Sequence, residues 1–158
     1  VLKYRAGQGG RAATEDLAAA ISDVFQNAGS LEVGTDGYSL WGSSAGARMA
    51  AAIGSHGTSA FGGSPLPKPA VVVMAYTARS EVTASEPPTF VVVGDRDSIA
   101  PPAAMEGRIA ALGRIGTSFE YQKYAGVGHG SGTGHGTSAQ GWIGRAIQFW
   151  EKEIKRTP

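Results

Sequence analysis

Gly42-Ser43-Ser44-Ala45-Gly46 has the spacing G-x-S-x-G, the pattern of a sharp strand-to-helix turn that holds one serine exposed above a parallel sheet. A serine held this way is a covalent nucleophile, and its chemistry is hydrolysis or transfer of an acyl group. The backbone of such an elbow is strained, and a Cβ at either Gly42 or Gly46 is expected to crowd it. With 24 glycines in 158 residues, the pentapeptide alone is a weak signal that gains weight only from partners elsewhere in the chain. Such partners follow it: Asp95 and Asp97 lie just after an apolar run, and His129 lies in a loop of small residues further on. A serine hydroxyl attacks well only when an imidazole takes its proton, and that imidazole needs a carboxylate to hold its tautomer. Each residue also has a plainer reading: Ser44 as a helix N-cap, Asp97 as a turn former before Pro101-Pro102, His129 as a polar loop residue. The joint occurrence of the three groups in the order Ser, Asp, His weighs against that alternative.

The elements that must position these groups alternate along the chain. Residues 1–4 are short and apolar and predict a strand. After a Gly-rich link at 7–10, Leu17, Ile21, Val24, Phe25 and Ala28 recur at helical spacing, with Thr14 as the expected N-cap and Gly29 as the stop. Residues 38–41 predict a strand that ends at the elbow, and the Ala-rich stretch 45–53 predicts a helix able to pack closely on a sheet. The uniformly apolar runs 70–76 and 89–93 read as parallel strands buried on both faces. Met105, Ile109 and Leu112 mark a helix, residues 119–124 alternate as a sheet-edge strand does, and Trp142, Ile143, Ala146, Ile147, Trp150 and Ile154 form one face of a last helix. This order predicts an α/β fold: a single domain over 1–158, with an open, mostly parallel sheet of about five strands and helices on its faces. Ligands of such sheets bind beyond the carboxyl ends of the strands, where Ser44, the Asp95/Asp97 pair and His129 all fall.

Composition narrows the function further. Net charge is +1 and 42% of residues are apolar, with no basic block for nucleic acid and no acidic tail. The longest apolar run, 70–76, is too short to span a bilayer. Cysteine is absent, which excludes disulfides, thiolate catalysis and cysteine-ligated metal but leaves the compartment, cytoplasmic or secreted, open. His56 and His135 read as surface-loop residues, and His129 and His135 lack the spacing of a helical zinc site, so no metal is expected. Residues 126–136 contain no Gly-Lys-Ser/Thr and no G-x-G-x-x-G, which argues against nucleotide binding; no cofactor is expected.

Taken together, Gly42-Ser43-Ser44-Ala45-Gly46, Val93-Gly94-Asp95-Arg96-Asp97-Ser98-Ile99-Ala100 and Gly126-Val127-Gly128-His129-Gly130 resemble the three catalytic segments of α/β-hydrolase esterases and lipases. The similarity is to the small bacterial acetyl-xylan-esterase and feruloyl-esterase-like proteins, which carry Gly-x-x-Asp for the acid and Gly-His-Gly for the base. The resemblance implies Ser44 as nucleophile, His129 as general base and then acid, and Asp97 as the orienting carboxylate, with the backbone N–H of Ala45 donating to the oxyanion. Asp97 fits the spacing from Gly94; Asp95 is expected to brace the turn through backbone N–H bonds. The implied activity is a serine carboxylic-ester hydrolase. Ser131 and Thr133 stand where relatives carry bulky apolar residues, which points to short-chain or acetyl esters. Acyl transfer by the same triad is a further possibility, and the alternative of another class is a catalytically weak hydrolase fragment that serves as a binding or assembly module.

The family sheet has eight strands, one ending in a His-Gly-Gly that supplies a second oxyanion donor. No His-Gly-Gly occurs here, and the chain starts without Met, inside an expected strand, so an N-terminal part is expected to be missing. A sheet uncovered in this way leaves Leu2, Leu40 or Trp41 exposed and predicts a homo-oligomer.

Overall fold

Four parallel strands, β1 (Ser39–Ser43), β2 (Val71–Ala75), β3 (Thr89–Gly94) and β4 (Phe119–Tyr124), pair in the order β1-β2-β3-β4 in the computed structural model, which describes residues 2–156. Four helices surround them: α1 (Gly9–Gln26), α2 (Ala45–His56), α3 (Pro102–Arg114) and α4 (Trp142–Arg156). The class is α/β, as the alternation of elements predicts.

The apolar runs form the central strands because both of their faces are covered. Side chains alternate across a strand, so one face of β2 and β3 presents Val71, Val73, Ala75, Phe90 and Val92 to Trp142, Ala146 and Phe149 of α4. The other face presents Val72, Met74, Val91 and Val93 to Ala47, Ala50 and Ala51 of α2 and Met105 of α3. Ala18 and Ile21 of α1 pack on Ile53 of α2 and add an outer layer. β4 is an edge strand, with a mixed pattern of exposure along its length.

Three local expectations need correction. Leu2, Lys3 and Tyr4 are exposed and belong to no strand, while Val1 lies outside the described residues. A strand exists through its ladder to a neighbour. Here the segment is instead drawn onto α1 by Arg5, whose backbone N–H and Nε donate to the two carboxylate oxygens of Asp16 at 2.7 and 2.9 Å. The described sheet therefore has four strands, with β1 at an edge. Thr14 is not an N-cap: α1 starts at Gly9, and the buried Thr14 hydroxyl donates to the Gly10 carbonyl at 2.7 Å. The same helix stops at Gln26, before Gly29, where the Asn27 backbone N–H and Nδ2 both donate to the Asp23 carbonyl.

The connection between β2 and β3 contains no helix and is held by a buried ion pair. Arg108 Nη2 of α3 donates to Glu86 Oε2 at 2.7 Å, with both side chains almost wholly buried. Glu86 Oε1 accepts from Ser55 Oγ of α2 at 2.8 Å and from the Thr83 N–H at 2.7 Å. Arg108 Nη1 donates to the Glu81 carbonyl. Burial alone pushes the Glu86 carboxyl up, but the Thr83 N–H, the Arg108 charge and the Ser55 and Thr83 hydroxyls together hold it below the usual range. The loop is thereby fastened to α2 and α3 at once.

Candidate active site

β1 runs two residues further, into the pentapeptide, than its apolar pattern indicates. Gly42 and Ser43 pair in register with Met74 and Ala75, and the Ser44 N–H donates to the Ala75 carbonyl at 2.9 Å. Helix α2 starts at the very next residue, Ala45. The whole change of direction therefore falls on Ser44, whose φ of 49° and ψ of −116° lie in a region that side chains rarely adopt. Strain of this kind costs about 1–3 kcal/mol and persists only where the surroundings enforce it. Gly42 permits the turn, because a Cβ there would sit 2.3 Å from the Gly46 carbonyl. The expectation for Gly46 is corrected: a Cβ on Gly46 meets nothing within 4 Å, since it points away from the crowded side of the turn.

Asp97 and His129 lie in the loops after β3 and β4, and those loops are bound to each other. The Arg96 N–H donates to the Val127 carbonyl at 3.0 Å, and the Gly126 N–H donates to Asp95 Oδ1 at 2.7 Å. A Cβ on Gly94 would lie 2.1 Å from the Val127 oxygen, so only glycine allows this approach. Val127 and Ala139 anchor the second loop in the core beneath α4. Trp142 Nε1 ties the same loop down by donating to the Gly132 carbonyl at 3.1 Å.

Three of the residues singled out in the sequence meet as a result. The buried Asp97 carboxylate accepts from the Ile99 and Ala100 N–H groups at 2.9 and 2.7 Å through Oδ1, and Oδ2 lies 2.8 Å from His129 Nδ1. A carboxylate only accepts, which assigns the ring proton to Nδ1 and leaves Nε2 as an acceptor. His129 Nε2 lies 3.0 Å from Ser44 Oγ. The ring is steadied by Tyr76, whose aromatic ring stands edge-on to it with centroids 5.2 Å apart. Asp95, by contrast, is exposed and makes the backbone bond to Gly126 described above. The Ala45 N–H is among the first-turn donors that a helix leaves without an internal partner, and Ala45 itself is exposed.

His56 ends α2 at the surface, edge-on to Phe61, and His135 lies exposed in the loop before α4. Neither approaches the cluster of Ser44, His129 and Asp97 through any hydrogen bond. Sequence reasoning missed Tyr76, although the rule that sites form at the carboxyl ends of parallel strands points to it as directly as to Ser44. It also missed the Glu86–Arg108 pair, for which no local signal exists.

No protein-family model matches the sequence, and no curated protein is significantly similar to it. Solved structures do match in fold. A sugar hydrolase from Lactococcus lactis superimposes with a TM-score of 0.79 at 19% identity, covering 96% of this chain and 74% of that one. An α/β hydrolase from a Medee basin deep-sea metagenome library gives 0.76 at 21% identity, covering 91% and 65% respectively. A thermophilic esterase from Thermogutta terrifontis gives 0.76 at 17% identity, covering 94% and 67%. The fold of this chain is that of the α/β-hydrolases. It spans 65% of the length of the metagenomic hydrolase. Among the described residues no helix is long and apolar enough to cross a membrane.

Proposed function

We propose that the protein is a serine carboxylic-ester hydrolase acting on short-chain or acetyl esters. The observation that carries this reading is the unbroken chain from Asp97 Oδ2 through His129 to Ser44 Oγ, with links of 2.8 and 3.0 Å, ending on a serine in a strained elbow. In the reaction, Ser44 Oγ attacks the ester carbonyl carbon while its proton passes to His129 Nε2. The negative charge that develops on the carbonyl oxygen is met by the Ala45 N–H at the start of α2, a donor worth about 3 kcal/mol in the transition state. His129 returns the proton to the departing alcohol oxygen, leaving an acyl group on Ser44. Water then gives a proton to the same nitrogen and attacks the acyl carbon, and His129 returns that proton to Ser44 Oγ as the acyl–oxygen bond breaks and the acid leaves. Asp97 keeps the Nδ1 proton in place throughout and stabilises the imidazolium, while the Ile99 and Ala100 N–H groups hold the carboxylate itself.

The test is covalent labelling and turnover. A fluorophosphonate is expected to modify Ser44 of the wild type, and p-nitrophenyl acetate and butyrate to be hydrolysed faster than the octanoate. Ser44→Ala should abolish the label and lower kcat by roughly a thousandfold or more. An unlabelled wild type, or unchanged turnover in Ser44→Ala, refutes the reading. A second reading, a binding or assembly module on a hydrolase framework, is favoured by the edge position of β1 and the exposure of Trp41 on it.

A further inference from the structure

A cleft of about 580 Å³ runs along α2 and reaches the elbow at Ala45. Its walls are the start of α1, the exposed side of α2 and residues 78–81 of the β2–β3 connection. The floor is apolar, with Ala13, Met49, Ala52 and Phe61 lining it. The rim is not. Arg11, Arg48 and Arg79 face the space against a single carboxylate, Glu81, in a chain whose net charge is only +1.

The three guanidinium groups are not equally available. Arg11 is committed to Glu15 at 3.1 Å and stacks over Phe61, 5.9 Å from the ring centroid. Arg79 reaches Glu81 at 3.4 Å through Nη2, but its buried Nε has no hydrogen-bond partner. Arg48 is exposed and makes no ion pair with any described residue. It stands four residues after Ser44, a little over one helical turn or about 6 Å along the axis, so its side chain belongs to the same face as the elbow. The amino end of α2 adds positive potential to this end of the cleft.

We infer that the cleft receives the anionic end of an ester substrate, a carboxylate set off from the reacting carbonyl by a short apolar spacer, with Arg48 as its main partner and Arg79 as the second. The inference rests on Ser44 being the nucleophile of an ester hydrolase and names the substrate class of that site. Spacer and charge have separate counterparts: the apolar floor takes the spacer, and the unpaired guanidinium takes the carboxylate in a bidentate bond. The carboxylate can belong to the acyl or the alcohol half of the ester, since the cleft meets the elbow only through Ala45.

Two isosteric pairs separate those halves. Mono-p-nitrophenyl adipate against p-nitrophenyl hexanoate places the charge on the acyl side; 4-acetoxybenzoate against p-tolyl acetate places it on the alcohol side. In one pair the charged ester should show kcat/KM roughly tenfold or more above its neutral partner, the scale of a hydrogen bond to a charged group. Arg48→Glu should reverse that preference, Arg48→Lys should retain part of it, and 1 M salt should shrink it in the wild type. Equal or lower kcat/KM for the charged ester in both pairs, or a ratio unmoved by Arg48→Glu, overturns the proposal. Titration of adipate into Ser44→Ala, followed by calorimetry, reads the cleft without any turnover: saturable binding that Arg48→Glu removes supports it, and no binding at millimolar adipate overturns it. Loss of fluorophosphonate labelling with adipate binding intact would fault the nucleophile and leave the anion cleft standing.

Discussion

Asp95 and Asp97 are separated by one residue, and the geometry gives them different work. Asp97 is buried with both oxygens engaged, one by two backbone N–H groups and one by His129. Asp95 is exposed and holds the Gly126 N–H, so it bonds the loop that carries His129 and not the imidazole. Asp97→Asn keeps the shape but removes the charge that opposes the imidazolium, and it frees the ring to take the wrong tautomer. On that argument kcat should fall by about 10³- to 10⁴-fold in Asp97→Asn. Asp95→Asn leaves an acceptor for the Gly126 N–H, and its kcat should fall by less than about tenfold. Steady-state hydrolysis of p-nitrophenyl acetate by the two variants, compared side by side, checks the assignment; similar losses in both would contradict it.

The β2–β3 connection has no regular structure and is fixed by side-chain bonds to two helices. It carries Tyr76 against His129 and Ala78 through Glu81 along the cleft, and Glu86 and Arg108 clamp it to α2 and α3. Arg108→Met would strand a buried carboxylate and is expected to cost about 3–5 kcal/mol in urea unfolding at pH 7. The pH dependence has a definite sign. Glu86 titrates below its ordinary range in the folded protein, so its contribution is fully present above the unfolded value, near 4.3, and is lost as pH falls through the lower folded value. Arg108→Met removes one of the groups that hold Glu86 down, so the acid-side loss of stability should be shallower in the variant. Unfolding midpoints at pH 7, 5, 4 and 3 measure both effects.

At the scale of the whole molecule, the open side of β1 is the least finished surface. Trp41 projects from this edge strand with 39% of its surface exposed, and Leu31 and Val33 in the preceding turn are 50% and 46% exposed. An edge strand carrying an exposed aromatic side chain is a template for pairing. Sedimentation velocity over a micromolar concentration range should reveal a reversible oligomer, and Trp41→Lys should move it toward monomer. A monomer at all concentrations in the wild type would place this surface outside any self-association.

Much of this protein is legible without coordinates. The run 70–76, and the run 90–93 after Thr89, are apolar at every position, as a strand covered on both faces requires, and they define the sheet. Asp97 follows one of them, Ser44 and His129 follow the strands expected at 38–41 and 119–124, and the backbone geometry of parallel strand ends makes their meeting an expectation. Where the sequence misled, the folded backbone decided. Residues 2–4 have a strand's composition but no partner, because Arg5 is held by Asp16. Thr14 looks like a cap, yet the helix extends back to Gly9 and buries it, with its hydroxyl on the Gly10 carbonyl. Gly46 looks as necessary as Gly42, but only the Cβ direction at Gly42 points into the turn. The division between Asp95 and Asp97, the clamp of Glu86 by Arg108 and the gathering of three arginines from α1, α2 and the β2–β3 connection all depend on contacts between residues distant in the chain. Local pattern determines which elements form and which of their ends can carry chemistry. Tertiary packing determines which charges end up facing the same space, because that depends on how helices and loops settle on the sheet.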